Sequence, residues 1–182
     1  MRAAITLFMM AMAGCSGAKA PTTSPAVAPL SDQLSDGSTG RINSFEGPYR
    51  FLSNFYPAEI EFEGMTYPSV EHAYQAAKTL DTEVRKKIAA IPNPGDAKRM
   101  GRAQQVRADW EDVKFDVMEK CVRYKFTHHP DMKEKLLATG DAYLEEGNTW
   151  TDRIWGVYQG QGENRLGKIL MKVRKELAQG SQ

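Results

Sequence analysis

The chain has 182 residues, of which 41% are apolar and 26% are charged. This length and composition are typical of one folded domain with a hydrophobic core. The formal net charge is only +1, so no overall electric field draws the chain to nucleic acid or to a membrane surface. No apolar run reaches the ~20 residues that a helix needs to span a bilayer.

The first fifteen residues have the pattern of a bacterial lipoprotein signal. Arg2 is followed by a short apolar stretch, and the small residues Ala13 and Gly14 precede Cys15. This pattern predicts export and a lipid anchor at Cys15. An unprocessed apolar tail or a misassigned start is the alternative interpretation of the same residues. Residues 16–40 are poor in bulky apolar side chains, which predicts a flexible linker before a folded domain at 41–179.

A β-hairpin and a helix are predicted near the start of the domain. The alternating run Ile60–Phe62, then Gly64, then Met65–Tyr67 predict two short strands joined by a tight turn. Ser69 is the candidate N-cap of a helix that follows. Apolar residues recur on one side of this helix, and a polar row lies on another side. The apolar stripe is Val70, Ala73, Tyr74 and Ala77, and the polar row is Glu71, Gln75 and Lys78.

The rest of the domain is predicted to be mainly helical. One helix follows Asp81, a short basic helix spans Gly95–Gln105, and the longest covers about Trp110–Phe126 with Asp109 as its cap. Another helix begins at Pro130, and Asn164 caps a final one. These elements predict a mainly helical α+β domain of about five to seven helices with a small N-terminal hairpin. No strand–helix alternation supports a parallel sheet.

Several kinds of active site find no support in the sequence. The three histidines form no metal-binding motif, so we expect no metal ion and no cofactor. Cys121 lies in a helical apolar pattern, which predicts a buried and unreactive thiol. The glycines between Gly160 and Gly167 lack the spacing and setting of a dinucleotide-binding fingerprint. They place Asn164 at a helix start, which is either an anion-binding position or an ordinary helix entry.

Two carboxylates stand apart from the charged runs. Glu71 lies one turn into a helix beside aromatic residues, and Asp152 lies between Trp150 and Trp155. Apolar surroundings raise the pKa of a carboxyl group and allow it to transfer protons. Two such groups on either side of one bond are typical of enzymes that cleave glycosidic linkages. Taken alone, each would more often be a helix-surface glutamate or a turn-capping aspartate. The tryptophans alone would more often serve core or lid packing.

Seven segments, in this order and spacing, resemble the NADAR family of YbiA-like N-glycosidases. The resemblance covers about Ile42–Leu177, which is nearly all of the predicted domain. Its segments are LSNFYP at 52–57, YPSVEHAYQAAK at 67–78, AKRMGR at 97–102, RADWE at 107–111, LLATGD at 136–141, DRIWG at 152–156 and NRLGKILM at 164–171.

The resemblance implies hydrolysis of an N-glycosidic bond between ribose and a heterocycle or amine. The substrate would be a ribosylamino-pyrimidine phosphate of the riboflavin pathway or ADP-ribosylated guanine in nucleic acid. Glu71 and Asp152 would share the work at the sugar and at the leaving nitrogen, in an order that the sequence leaves open. Trp155 would stack on the base with Phe55 or Tyr56 opposite, and Gly156 would also contact the substrate. Hydroxyls or base edges would be bound by Asn54 and Asn164, and phosphate by Lys78, Lys98 and Arg102.

Two other functions fit parts of the same sequence. A non-catalytic module that binds ADP-ribose or a related nucleotide would use the same aromatic and basic residues. A surface-tethered structural domain is suggested only by the N-terminal segment. The family resemblance predicts a cytoplasmic protein, whereas a functional signal at residues 1–15 would make it an exported lipoprotein.

Overall fold

The computed structural model describes residues 40–180. The predicted signal at residues 1–15 and nearly all of the predicted linker therefore lie outside the described residues. The described part contains six α-helices, one short 3-10 helix at Gly47–Leu52 and six short strands. The strands are β1 (Arg41–Ile42), β2 (Ile60–Phe62), β3 (Met65–Tyr67), β4 (Tyr143–Leu144), β5 (Gly147–Asn148) and β6 (Val157–Tyr158). The helices are α1 (Val70–Ala76), α2 (Thr82–Ala89), α3 (Pro94–Arg102), α4 (Trp110–His128), α5 (Pro130–Ala138) and α6 (Arg165–Gln179).

The mainly helical α+β architecture confirms the fold class predicted from the sequence. Strands β2 and β3 form the expected antiparallel hairpin, with Ile60 opposite Tyr67 and Phe62 opposite Met65. The sequence did not predict two further strand pairs, which are parallel and two residues long. Strand β1 pairs with β4, and β5 pairs with β6. These pairs are too short to give an alternating pattern. The β1–β4 pair joins segments far apart along the chain, and the β5–β6 pair closes the loop at 149–156.

The long helix α4 lies at the centre of the fold. It packs against α1, α5, α6 and β2, and its inward side carries Val117, Met118, Cys121, Val122 and Phe126. Burial raises the pKa of the Cys121 thiol to about 12, which agrees with the predicted unreactive thiol. No helix in residues 40–180 has the length and apolar content to cross a bilayer.

Helix starts are only partly as predicted. Ser69 caps α1, since its Oγ accepts a hydrogen bond from the backbone N–H of His72. Asp109 occupies the N-cap position of α4, but its carboxylate does not cap the helix because it forms a two-bond ion pair with Arg107. Asn164 precedes α6 with a left-handed backbone (φ 51°), and its side chain makes no cap bond either. The prediction of side-chain caps at these two positions is wrong.

Candidate active site

A cavity of about 680 Å³ opens between α1, α3, the segment 44–55 and the loop 146–155. Its size lies within the usual range of small-molecule sites, which is roughly 300–1,000 Å³. The lining combines carboxylates, cations, amides and aromatic rings. It consists of Ser44, Phe45, Glu46, Arg50, Ser53, Asn54, Phe55, Glu71, Tyr74, Gln75, Lys78, Lys98, Arg102, Met118, Glu146, Gly147, Asn148, Thr149, Trp150, Asp152 and Trp155.

Helix α1 supplies the most buried carboxyl group of the cavity. Glu71 is 5% exposed, and its Oε1 accepts a hydrogen bond of 2.8 Å from Gln75 Nε2, one helical turn later. Burial raises the pKa of Glu71, although the nearby ammonium groups of Lys98 and Lys78 and the Arg102 guanidinium oppose this rise. The same helix and α3 therefore place one carboxyl group beside three cations.

The Glu71–Gln75 pair is held from behind by α3. Gly101 packs directly on the Gln75 side chain, and any Cβ at position 101 would overlap the amide. The amide oxygen of Gln75 is buried and has no hydrogen-bond partner within residues 40–180. Close packing rather than a second hydrogen bond thus fixes the amide that holds Glu71.

Asp152 lies on the opposite wall, in the loop that joins β5 to β6. Its Oδ1 accepts two backbone hydrogen bonds of 2.9 Å, from the N–H groups of Ile154 and Trp155. The Asn148 side chain fixes the same turn, donating to Asp152 O at 2.7 Å and accepting from Asp152 N at 3.1 Å. Asp152 therefore caps a turn, which is the structural role that the sequence allowed for it. It also lines the cavity. Within the described residues its second oxygen, Oδ2, has no hydrogen-bond partner.

Aromatic rings support the cavity between these two walls. Tyr74 contacts Trp155 edge-on at 5.4 Å between ring centroids and contacts Trp110 at 5.0 Å. Burial raises the pKa of Tyr74, and the Glu71 carboxylate adds to the rise, so this hydroxyl stays protonated. The Lys98 ammonium lies 5.5 Å from the Phe55 ring centroid, which places a cation directly beside an aromatic surface of the cavity.

Besides the exposed Glu46, the cavity contains a further carboxyl group that the sequence analysis missed. The loop at residues 146–155 forms one wall of the cavity, the loop wall. Glu146 follows β4 and lies in this wall together with Asp152. Burial raises the pKa of Glu146 to about 8, and the Asp152 and Glu71 carboxylates add to the rise while Lys98 opposes it. In the sequence Glu145 and Glu146 look like an exposed acidic pair, and only the pairing of β4 with β1 and of β5 with β6 places Glu146 at the cavity. The loop also contributes Asn148 and Trp150 to the cavity lining. The sequence analysis predicts neither of them as a substrate-binding residue.

Three residues predicted to bind substrate do not line the cavity. The Tyr56 ring packs 5.4 Å from the buried ammonium of Lys125. Gly156 is buried where any side chain would overlap the backbone of Glu146, so it serves close chain packing. Asn164 is 2% exposed and its amide bonds to Leu144 O at 2.8 Å and to the backbone N–H of Glu146 at 3.1 Å.

The other eight predicted residues come together in the cavity. They are Asn54, Phe55, Glu71, Lys78, Lys98, Arg102, Asp152 and Trp155. Across residues 40–180 no group of three or more His, Cys, Asp or Glu side chains is arranged to hold a metal ion.

Comparison with known proteins places this fold and cavity in a family. Residues 42–178 match the NADAR domain. The N-glycosidase YbiA of Escherichia coli K12 is 43% identical over 133 residues, which cover 71% of this chain and 82% of YbiA. The NMR structure of E. coli YbiA has a TM-score of 0.69 at 40% identity and covers 78% of this chain and 85% of that chain. The chain belongs to the NADAR domain family.

Two other relatives are a second N-glycosidase and a riboflavin biosynthesis protein. An N-glycosidase of Nostoc punctiforme is 41% identical over 136 residues, which cover 71% of this chain and 86% of that protein. A riboflavin biosynthesis protein of Vibrio vulnificus is 42% identical over 130 residues, which cover 70% of this chain but only 35% of that longer protein. The predicted enzyme class, a hydrolase of N-glycosyl bonds, is confirmed by these relatives.

Proposed function

We propose that this enzyme cleaves the N-glycosidic bond between a ribose that carries phosphate and the nitrogen of a heterocyclic amine. The observation that carries the proposal is the convergence of Glu71 and Asp152 on one cavity with three cations at its side. Glu71 comes from the opposite wall, the helical wall, which residues 71–78 and α3 form. Asp152 comes from the loop wall. Two carboxyl groups facing one hollow are the arrangement that glycoside cleavage uses.

The cations of the helical wall form the proposed phosphate site. Lys78, two residues after α1, lines the cavity together with Lys98 and Arg102 of α3. Burial lowers the pKa of Lys78, Glu71 opposes this effect, and the two cationic neighbours add to it. Such mutual repulsion among cations is relieved when an anion binds between them. Arg102 is suited to a two-bond grip on phosphate, and the ammonium groups act as point charges.

The aromatic groups and the amide form the proposed site for the heterocycle. Trp155 is braced edge-on by Tyr74 and by Phe115, with both centroid distances at 5.4 Å. A ring that stacks on Trp155 would face Phe55 across the cavity. Asn54, whose Nδ2 contacts the sulfur of Met118 at 3.4 Å, presents its remaining amide groups to hydroxyls or base edges.

The carboxylates act on the sugar. Breaking the C1′–N bond develops positive charge on the ribose ring, which a nearby carboxylate stabilises. The second carboxylate accepts a proton from the water that adds to C1′. Glu71 and Asp152 divide these two tasks, and the leaving nitrogen requires a proton from elsewhere in the cavity.

The substrate follows from the chemistry of the cavity and the names of the relatives. Riboflavin biosynthesis proteins among them support a ribosylamino-pyrimidine phosphate as the small-molecule substrate. A larger second candidate is ADP-ribosylated guanine in nucleic acid. It is favoured by Trp150, which lines the cavity but is 55% exposed and offers a ring outside it. An assay of both compounds, with release of free base or amine as the readout, decides between them.

The proposal is tested with Glu71→Gln and Asp152→Asn. Each variant is expected to fold normally and to lose on the order of 10²-fold or more in kcat, because removal of a positioned acid or base costs that much. Matched controls are Glu83→Gln on α2 and Asp131→Asn on α5, both exposed and far from the cavity lining. If both cavity variants keep full activity on a ribosylated amine, the mechanism is wrong.

The proposal includes action in the cytoplasm, where ribosylamine phosphates are made and used. The alternative is an exported enzyme anchored through Cys15. Mass spectrometry of the mature N-terminus separates the two, since a diacylglycerol on Cys15 would refute a cytoplasmic location.

A further inference from the structure

The backbone of Glu146 is fixed on both sides. Its N–H donates to Asn164 Oδ1 at 3.1 Å, and its carbonyl accepts the N–H of Val157 at 2.8 Å. The next residue, Gly147, pairs with Val157 in the β5–β6 ladder. These bonds fix the direction of the Cα–Cβ bond of Glu146, whose side chain lines the cavity.

Glu46 is an exposed member of the cavity lining and lies 3.8 Å from Arg50. The other three carboxyl groups of the cavity differ in what stabilises their charge. Glu71 accepts a hydrogen bond from Gln75 and has cations around it. Asp152 accepts two backbone N–H groups. Glu146 has no hydrogen-bond donor among the described residues, and the groups that face it are Asp152 from its own loop, Glu71 from α1 and Lys98 from α3. Of these, Glu146 is the one whose charge is stabilised by no hydrogen-bond donor within residues 40–180, so burial and two neighbouring carboxyl groups favour its protonated form.

We infer that Glu146 is the general acid of the reaction, which gives its proton to the leaving nitrogen as the C1′–N bond breaks. The electron pair of that bond goes to the nitrogen, and the proton from Glu146 makes the departing group a neutral amine. Water adds to C1′ and releases its proton to Glu71 or Asp152. Exchange with solvent returns a proton to Glu146. This assignment rests on the proposed N-glycosidase function.

The electrostatics support this assignment. Because the pKa of Glu146 is raised to about 8, the side chain still holds a proton at neutral pH, where an ordinary glutamate would have lost it. A general acid works best when its pKa lies near the working pH. The alkaline limit of kcat is therefore expected near pH 8 in the wild-type enzyme.

The experiment compares wild type with Glu146→Gln on two synthetic ribosylamine 5-phosphates that differ only in the basicity of the leaving amine. With the basic amine, E146Q is expected to lose on the order of 10²–10³-fold in kcat and to lack the alkaline limit. With an electron-poor amine, which departs with less help from a proton, the loss shrinks to about 10-fold or less. Glu146→Asp, which still carries a proton, is expected to retain more activity than E146Q.

Glu145→Gln is the matched control, because Glu145 is the neighbouring residue but lies outside the cavity lining and pairs with Arg41 at 2.6 Å. It is expected to leave both rates near wild type. Equal losses of E146Q on both substrates, or no loss, refute the assignment alone. A wild-type enzyme that releases neither amine refutes the proposed function and this assignment with it. Urea unfolding of each variant at the assay pH verifies that losses are not losses of fold.

Discussion

The buried lysine of α4 gives the most quantitative prediction about this fold. Lys125 is 1% exposed, and its ammonium donates to Phe51 O at 2.6 Å and to Ser53 O at 2.9 Å. These two carbonyls directly precede Asn54 and Phe55, which line the cavity. Lys125 therefore ties the segment that carries part of the active site to the central helix.

Replacing Lys125 with methionine keeps most of the volume and removes both donors. Phe51 O is left without its donor, whereas Ser53 O keeps a 3.2 Å bond from the N–H of Tyr56. An unsatisfied buried carbonyl costs about 1–3 kcal/mol, so we expect a total loss of roughly 2–4 kcal/mol at pH 9.

The size of this loss depends on pH in a direction that the structure fixes. Burial lowers the pKa of Lys125 from 10.5 to about 7, with a smaller contribution from Arg50. Between these values the unfolded chain binds a proton that the folded chain does not, so the free energy of unfolding of the wild type rises with pH. At about 1.36 kcal/mol per unit, the rise from pH 6 to pH 9 is roughly 2–3 kcal/mol. Methionine does not titrate, so the deficit of Lys125→Met should shrink by this amount at pH 6.

Urea unfolding at pH 6 and pH 9 measures both quantities. Other groups that titrate in this range, such as Glu146, are present in both proteins and cancel in the difference. Lys120→Met, which changes an exposed lysine on the same helix, is the control and should differ little from wild type at either pH. A deficit of Lys125→Met that is equal at the two pH values would refute a neutral buried amine at high pH.

Three further substitutions test how the cavity is built. Gly101→Ala is expected to displace Gln75 and with it Glu71, lowering kcat by at least about 10-fold and the free energy of unfolding by about 1–3 kcal/mol, measured by kinetics and urea unfolding. Asn164→Ala removes the bonds that join the start of α6 to the strand β4, and should cost about 2–4 kcal/mol in urea unfolding. Lys98→Ala should raise KM by about 10-fold for a phosphorylated substrate, because one charge-assisted bond to phosphate is lost. The KM for the dephosphorylated form should stay unchanged. Equal effects on both forms would argue against a phosphate site on α3.

The sequence predicted those parts of the fold that depend on local periodicity. The apolar stripe of α1 is buried as expected, and the β2–β3 hairpin has the expected turn. Spacing along one helix also placed Glu71, Gln75 and Lys78 on the same face, and all three line the cavity. Each of these inferences needs only neighbours within about seven residues, because a helix or a hairpin repeats its geometry over that distance.

The loop wall could not be predicted in the same way. Its position depends on the pairing of β1 with β4 and of β5 with β6, and two-residue strands leave no periodic signal. Asn164 illustrates the difficulty. An asparagine at a helix start is expected to cap that helix, but the Asn164 amide instead joins the start of α6 to the loop wall. Without this bridge there was no reason to separate the inward Glu146 from the outward Glu145.

The two walls of the cavity also set the direction in which a substrate enters. The helical wall carries Lys78, Lys98 and Arg102, whereas the loop wall carries Glu146 and Asp152. A ribose phosphate placed the other way round would bring its phosphate towards the Asp152 carboxylate, and like charges repel. It would also leave the cations without an anion. For the proposed substrate, the phosphate therefore lies on α1 and α3, and the leaving nitrogen faces the loop wall. The bond to be broken is thus presented to Glu146, whose pKa of about 8 lets it keep its proton at neutral pH.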